Sequence, residues 1–228
     1  MKALILAAGK GTRLMPFTKT IPKCLIPINK KPLLELWLEK LSDIGVNEFL
    51  INTHYLASAV NKYVEKSIFK NQITLVHEKE LLGTAGTLIN NLSFFENSPD
   101  TFFLHGDNYT DDNLKEFIIC HKNRPKECII TMMTFETDKP EEAGIVITKN
   151  GILKRYYEKQ KNSNHGNIAN GAIYLFGKDF IKIIKKKFLN TYDFSKDIVP
   201  SLPNKVFTYK TESSFIDIGT PANYRKVK

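Results

Sequence analysis

The sequence predicts an α/β fold, a Rossmann-like, doubly wound sheet of mostly parallel, mixed strands flanked by helices. Three observations carry that prediction. Over residues 1–140, short apolar runs alternate with segments of helical spacing. The apolar runs are continuous, as in strands buried on both faces. Two of them end in loops rich in glycine or bearing aspartate, and sheets of this class bind ligands at such strand ends.

The elements follow in order. Residues 3–7 are an apolar run that stops at a glycine-rich stretch, which reads as the first strand. Pro32 opens a helix in which Leu33, Leu34, Leu36, Trp37, Leu38 and Leu41 recur at helical spacing, and Gly45 ends it. A strand at 49–52, a helix at 57–66 and a strand at 73–76 come next. A helix is predicted over 86–92, a strand over 101–104, and a helix over 113–121 capped by Asp111 or Asp112. Residues 128–135 make another strand. Beyond residue 140 the pattern loosens into short strand-like pieces at 144–147, 152–153 and 172–176, with Asn150-Gly151 as a hairpin turn. A helix over 179–188, a strand over 215–218 and a closing helix over 221–226, with proline at its first position, complete the chain.

Composition narrows the class. The 228 residues are 42% hydrophobic and 25% charged, as in a globular protein with a real core. Lys and Arg number 33 against 24 Asp and Glu, a net charge of +9 that favours anionic partners. The densest basic cluster, residues 182–187, is interrupted by Ile183 and Ile184 and reads as a solvated helix face. Phe102, Phe103 and Phe176 lie in apolar strands, so they read as core and not as a base-stacking platform. A nucleic-acid partner is therefore not expected. No run of 18 apolar residues occurs, and no membrane partner is expected. The apolar start at residues 1–6 is broken by Gly9, Lys10, Gly11 and Arg13, so it reads as a strand and not as a leader. Cys24, Cys120 and Cys128 form no CxxC pair, which argues against a disulfide framework or structural zinc and for a reducing, cytoplasmic setting.

Four constellations carry chemistry. In Leu6-Ala7-Ala8-Gly9-Lys10-Gly11-Thr12-Arg13 the two glycines permit a sharp turn that exposes backbone N–H groups to an anion, and Arg13 can grip phosphate oxygens in pairs. Neither the Walker A spacing nor a third dinucleotide-type glycine is present. Read alone, the segment also fits a tight strand-to-loop turn. Pro22 and Pro27 stiffen the loop that carries Lys23, a candidate for offsetting phosphate charge, although an isolated lysine is more often at the surface. The small residues Gly83-Thr84-Ala85-Gly86 allow a flat ligand close to the backbone, or start a helix with Thr84 or Thr87 as its cap. Asp107 and Asp217 each end an apolar strand, where carboxylates suit magnesium, and either could instead be a turn residue.

Taken in order, these motifs, together with Glu158-Lys159, Asn170-Gly171-Ala172-Ile173-Tyr174 and Asp217-Ile218-Gly219-Thr220-Pro221, resemble the nucleotidyltransferases that make nucleotide sugars. The resemblance spans nearly the whole chain and implies the nucleotide-diphospho-sugar transferase fold. It implies one nucleotidyltransferase domain over 1–228, with a nucleotide-binding core at 1–140 and a sugar-binding part at 141–228. It implies transfer of a nucleotidyl group from a nucleoside triphosphate to a sugar 1-phosphate, with Mg2+ as cofactor. Arg13 and Lys23 are then catalytic. Leu6, Ala8, Gly9, Gly11, Thr12 and Arg13 hold the nucleotide, Gly83, Thr84 and Ala85 lie against base and ribose, and Glu78 falls where the base is read. Asp107 and Asp217 are metal ligands. Gly106, Asn108, Asn170 and Gly171 line the sugar-phosphate pocket, Glu158 takes sugar hydroxyls and Lys159 the sugar phosphate. Gly-Thr-Ala-Gly resembles most the mannose-1-phosphate guanylyltransferase branch, so the order of expectation is guanylyl (on a mannose- or heptose-like acceptor), then uridylyl, then cytidylyl transfer. The chain stops soon after the second aspartate motif, so a fused acyltransferase is not expected. A homo-oligomer through the closing helix is left open. The rival of another class is a nucleotide-binding regulator without turnover.

Overall fold

The apolar run Lys2–Leu6 buries Ala3, Leu4 and Ile5 completely. In the computed structural model, which describes residues 1–159 and 165–227, this strand pairs in parallel with Glu48–Thr53, and that strand pairs in parallel with Ile73–His77. The chain packs as two compact units, each drawn from separate stretches of sequence. One comprises Met1–Leu81, Phe103–Asp111 and Ser214–Lys228, the other Leu82–Phe102 and Asp112–Ser213.

The first unit carries the parallel strands the sequence predicts. Helix Leu33–Ser42 buries Leu33, Leu34, Trp37, Leu38 and Leu41, a stripe of the expected helical spacing. Helix Ala57–Lys66 buries Val60 and Val64. A short antiparallel ribbon joins Asn108–Thr110 to Phe215–Asp217, with Asp217 opposite Asn108.

The second unit holds a mixed sheet. Its strands run in the order Ile168–Gly177, Ile130–Glu136, Val206–Lys210, Ile152–Tyr157 and Ile145–Lys149, and a pair between Ala169 and Ile145 closes the order on itself. Val206–Lys210 pairs in parallel with Ile130–Glu136. Ile168–Gly177 is longer than the predicted 172–176, and it bulges. Asn170 faces Thr134 and Tyr174 faces Met132, so four steps on one strand match two on the other. Ala172, inside the bulge, has φ 50°.

Two sequence expectations change here. The helix predicted over 86–92 starts earlier and runs Gly83–Asn90. Helix Leu114–Lys122 is capped by Asn113, which accepts from the Lys115 N–H, and not by Asp111 or Asp112. Asp112 is unavailable as a cap because it is buried and accepts hydrogen bonds from the Tyr209 and Thr211 hydroxyls. The basic helix Lys178–Lys187 buries Phe180, Ile181 and Ile184, while Lys182 pairs with Asp179 and Lys185 with Glu96. Among the described residues no helix is long and apolar enough to cross a membrane.

Candidate active site

In the first unit, strand Lys2–Leu6 delivers the glycine turn. Gly11 has φ 63°, in the left-handed region. A Cβ there would lie 2.8 Å from the Thr18 methyl, and the Thr18 hydroxyl donates to the Gly11 carbonyl at 2.7 Å. The turn is thus fixed from below by a buried threonine that sequence reasoning did not single out. Among the described residues, the N–H groups of Gly9, Lys10, Gly11, Thr12 and Arg13 meet no acceptor. Successive undonated N–H groups are the kind of backbone arrangement that suits an anion. The Ala7 N–H is spent differently, donating to Asn52 Oδ1 at 2.7 Å, and Asn52 Nδ2 donates to Glu78 Oε1 at 2.9 Å. Glu78, only 5% exposed, is therefore tied to the same strand end. Asn52 was legible as a polar residue closing an apolar strand.

Lys23 is not a surface lysine. It is 8% exposed, starts the short turn Lys23–Leu25 after Pro22, and lies between two carboxylates. Its ammonium pairs with Asp107 Oδ2 and lies 3.4 Å from Asp217 Oδ1. The ribbon register explains the convergence of two aspartates so distant in sequence. Asp217 stands opposite Asn108, and the Ile218 N–H donates to the Asp107 carbonyl at 3.1 Å. Asp217 Oδ1 also accepts from the Gly219 N–H at 2.7 Å, and Arg13 Nη2 lies 3.7 Å from Asp217 Oδ2.

Electrostatics favour the charged forms of Lys23 and Asp107. Burial opposes ionisation of Lys23, but Asp107 and Asp217 outweigh it and raise its pKa above the ordinary lysine value. Burial likewise disfavours the Asp107 carboxylate, and the charge of Lys23, then that of His105, outweighs burial and lowers its pKa. Cys24 is inert by comparison: burial pushes its thiol up to about 12.

Two carboxylates converging on one cation present the hard oxygen donors that magnesium takes. Among the described residues no group of three or more His, Cys, Asp or Glu could hold a metal. A cation here would have two protein ligands and fill its shell from phosphate and water, as magnesium does. The residues therefore fit that ion.

Two predicted pocket residues on this unit serve the backbone. The Gly106 N–H donates to the Leu6 carbonyl at 2.9 Å, and a Cβ at Gly106 would lie 2.9 Å from Ile5 and 3.0 Å from the Leu6 oxygen. Gly106→Ala is expected to lower stability by about 1–3 kcal/mol through overpacking, read from urea unfolding midpoints. Asn108 is buried, and its carbonyl accepts from Trp37 Nε1 at 2.8 Å.

The second unit gathers the other candidates. Thr84 and Thr87 do not cap their helix. The Thr84 hydroxyl accepts from the Phe194 N–H at 2.7 Å, the Ala85 N–H donates to the Tyr192 carbonyl at 3.0 Å, and the Thr87 hydroxyl donates to the Gly83 carbonyl. The Gly83–Ala85 turn is thus strapped to residues 192–194. Asn170, in the strand bulge beside Gly171, donates from Nδ2 to Tyr174 Oη at 2.6 Å and to Ser195 Oγ at 3.3 Å, and its Oδ1 accepts from the Ala172 N–H. Glu158 accepts from the Tyr156 hydroxyl at 3.0 Å. Lys159 is exposed. Tyr174 belongs to the Asn170–Tyr174 motif, whereas Tyr156 and Ser195 carried no motif signal and join the cluster only through folding.

Comparison with known proteins gives this arrangement a context. The nucleotidyl transferase family profile matches residues 2–228. The mannose-1-phosphate guanylyltransferase catalytic subunit beta of Xenopus tropicalis is 31% identical over 231 residues, covering 98% of this chain and 62% of that protein. The subunit of the same name from Drosophila pseudoobscura pseudoobscura is 31% identical over 229 residues, covering 98% of this chain and 60% of that one. The chain thus spans about 60% of the length of these relatives. The crystal structure of HddC from Yersinia pseudotuberculosis complexed with GMP-PN superposes with a TM-score of 0.80 at 28% identity, covering 99% of this chain and 97% of that one.

Proposed function

The chain belongs to the nucleotidyl transferase family, and from that premise we propose that it transfers a guanylyl group from GTP to a sugar 1-phosphate, releasing pyrophosphate. The convergence of Lys23, Arg13, Asp107 and Asp217 at the end of the glycine turn is the observation that carries this reading. Guanylyl over uridylyl or cytidylyl transfer is supported by the names of the similar relatives and by the GMP-PN bound to the structural neighbour. Those relatives also make mannose 1-phosphate the leading acceptor.

In this reading residues 1–228 act as one nucleotidyltransferase domain. The N–H groups of residues 9–13 and the Arg13 guanidinium bind the triphosphate, and Leu6 and Ala8 complete the nucleotide-binding segment. The buried Glu78 and the Gly83–Ala85 turn meet base and ribose. Asp107 and Asp217 would hold magnesium, which supplies charge neutralisation on the phosphates when bound. Lys23 offsets the repulsion between two anionic reactants and stabilises charge on the phosphate under attack. Glu158 orients the acceptor through its hydroxyls, Lys159 pairs with its phosphate, and Asn170 and Gly171 shape the wall beside them. The acceptor phosphate oxygen is itself the nucleophile. The chain's task is alignment and charge, and no covalent enzyme intermediate is needed. Three free cysteines, two of them buried, support a reducing, cytoplasmic setting.

The test is a panel. Purified protein with magnesium and each of GTP, UTP, CTP, dTTP and ATP is incubated with a set of sugar 1-phosphates, and released pyrophosphate is measured. Release with GTP and mannose 1-phosphate is the expected result. Release with UTP or CTP alone would replace the base assignment. Nucleotide binding without release on any pair would favour a non-catalytic regulator.

A further inference from the structure

The polar cluster of the second unit is built around a hydroxyl that none of its motifs contains. Tyr156 Oη donates to Glu158 Oε2 at 3.0 Å. An ionised carboxylate only accepts, so the single phenolic proton is committed to Glu158. Asn170 Nδ2 lies 3.4 Å from the same oxygen, on its acceptor side. Burial holds the Tyr156 proton on, pushing its pKa far above the ordinary tyrosine range. The hydroxyl also depends on Gly144: a Cβ at that position would overlap the Tyr156 oxygen. The Gly144 carbonyl accepts from the Asn170 N–H at 2.8 Å, so one glycine registers both the tyrosine and the asparagine. Tyr174 and Ser195, 3.1 Å apart, hold the other side of the Asn170 amide.

The consequence falls on Glu158. A carboxylate that is free to rotate can take two neighbouring hydroxyls in several ways and discriminates poorly among sugars. With Oε2 pinned by Tyr156, the remaining lone pairs point in one arrangement, and only a sugar whose hydroxyls match it is bound well. We propose that Tyr156 is a positioning residue for the acceptor: its hydroxyl fixes one oxygen of Glu158 and thereby narrows the range of sugar 1-phosphates the chain uses. The inference rests on the acceptor role given to Glu158 above.

The experiment is a double-mutant cycle with Tyr156→Phe, Glu158→Gln and the pair, using GTP, magnesium and mannose 1-phosphate. Tyr156→Phe is expected to raise the KM for mannose 1-phosphate roughly tenfold, the size of a lost hydrogen bond to a charged group. It should leave kcat and the GTP dissociation constant near those of the parent. It should also reduce the preference for mannose 1-phosphate over glucose 1-phosphate in kcat/KM. In the Glu158→Gln background the same change should add little further rise. Gly144→Ala, which displaces the hydroxyl without removing it, should repeat the KM effect. If Glu158→Gln raises KM and Tyr156→Phe does not, or if the two effects simply multiply, the positioning role is overturned and the acceptor assignment stands. If Glu158→Gln leaves KM unchanged, the acceptor assignment falls and the inference falls with it.

Discussion

Asp107→Asn and Asp217→Asn are each expected to lower magnesium-dependent turnover by at least about a hundredfold, the scale of losing one preorganised charge contact to a reacting phosphate. Both side chains converge on one ammonium, and each is a hard anionic oxygen donor. An amide keeps the shape and removes the charge, so the loss should appear in kcat and in the magnesium concentration needed for half-maximal rate. The fold should survive in both variants. The two should differ in stability, because Asp107 makes the direct ion pair with the buried Lys23, whereas Asp217 is more exposed and lies 3.4 Å away. Asp107→Asn leaves a buried cation short of its nearer partner and should melt at the lower temperature. Near-normal turnover in both variants, measured by pyrophosphate release, would remove the aspartates from the mechanism.

Lys23→Ala is expected to cost turnover by about 10²–10³ and to change how stability depends on pH and on magnesium. The Asp107 pKa is lower in the folded chain, so its contribution is present above its unfolded value and is lost as pH falls through the folded one. The Lys23 pKa is raised, so its contribution is present below its unfolded value and is lost as pH rises through the folded one. The pair therefore stabilises the neutral range. Removing Lys23 leaves two carboxylates facing each other there, with Arg13 3.7 Å from Asp217. The variant should be less stable at pH 7, should lose less on acidification, and should gain more melting temperature from added magnesium than the parent gains. Urea unfolding midpoints across pH, with and without magnesium, check this. A variant whose pH profile parallels that of the parent would show that Lys23 does not hold Asp107 charged.

Much of this was visible in the sequence because it rests on local signals. The buried strands Lys2–Leu6, Glu48–Thr53 and Asp100–His105 read as continuous apolar runs, and the helix Leu33–Ser42 reads from its leucine spacing. The glycine turn and the two aspartates could be named from their places after strands. What local signals could not give is partnership across the chain. A lysine next to proline looks like a surface lysine until the ribbon sets Asp217 opposite Asn108 and closes two carboxylates around it. Asp112 looks like a helix cap until Tyr209 and Thr211, far along the chain, claim its oxygens. Thr84 looks like a cap for the same reason, and its hydroxyl instead accepts from the backbone of Phe194. The bulge that sets Asn170 beside Tyr174 and Ser195 is a mismatch between two strands, and neither strand's own pattern contains it. Tyr156 read as one more residue of a short strand because its importance lies in a hydroxyl packed over Gly144.

The most direct measurement of the central claim is phosphorus NMR of GTP and mannose 1-phosphate incubated with the protein and magnesium. A new diphosphate-linked nucleotide sugar is expected to appear in equal amount with pyrophosphate, with the mannose 1-phosphate signal consumed in step and no GMP formed. GTP that stays intact while bound, or that breaks down to GMP and pyrophosphate without consuming the sugar phosphate, would contradict it.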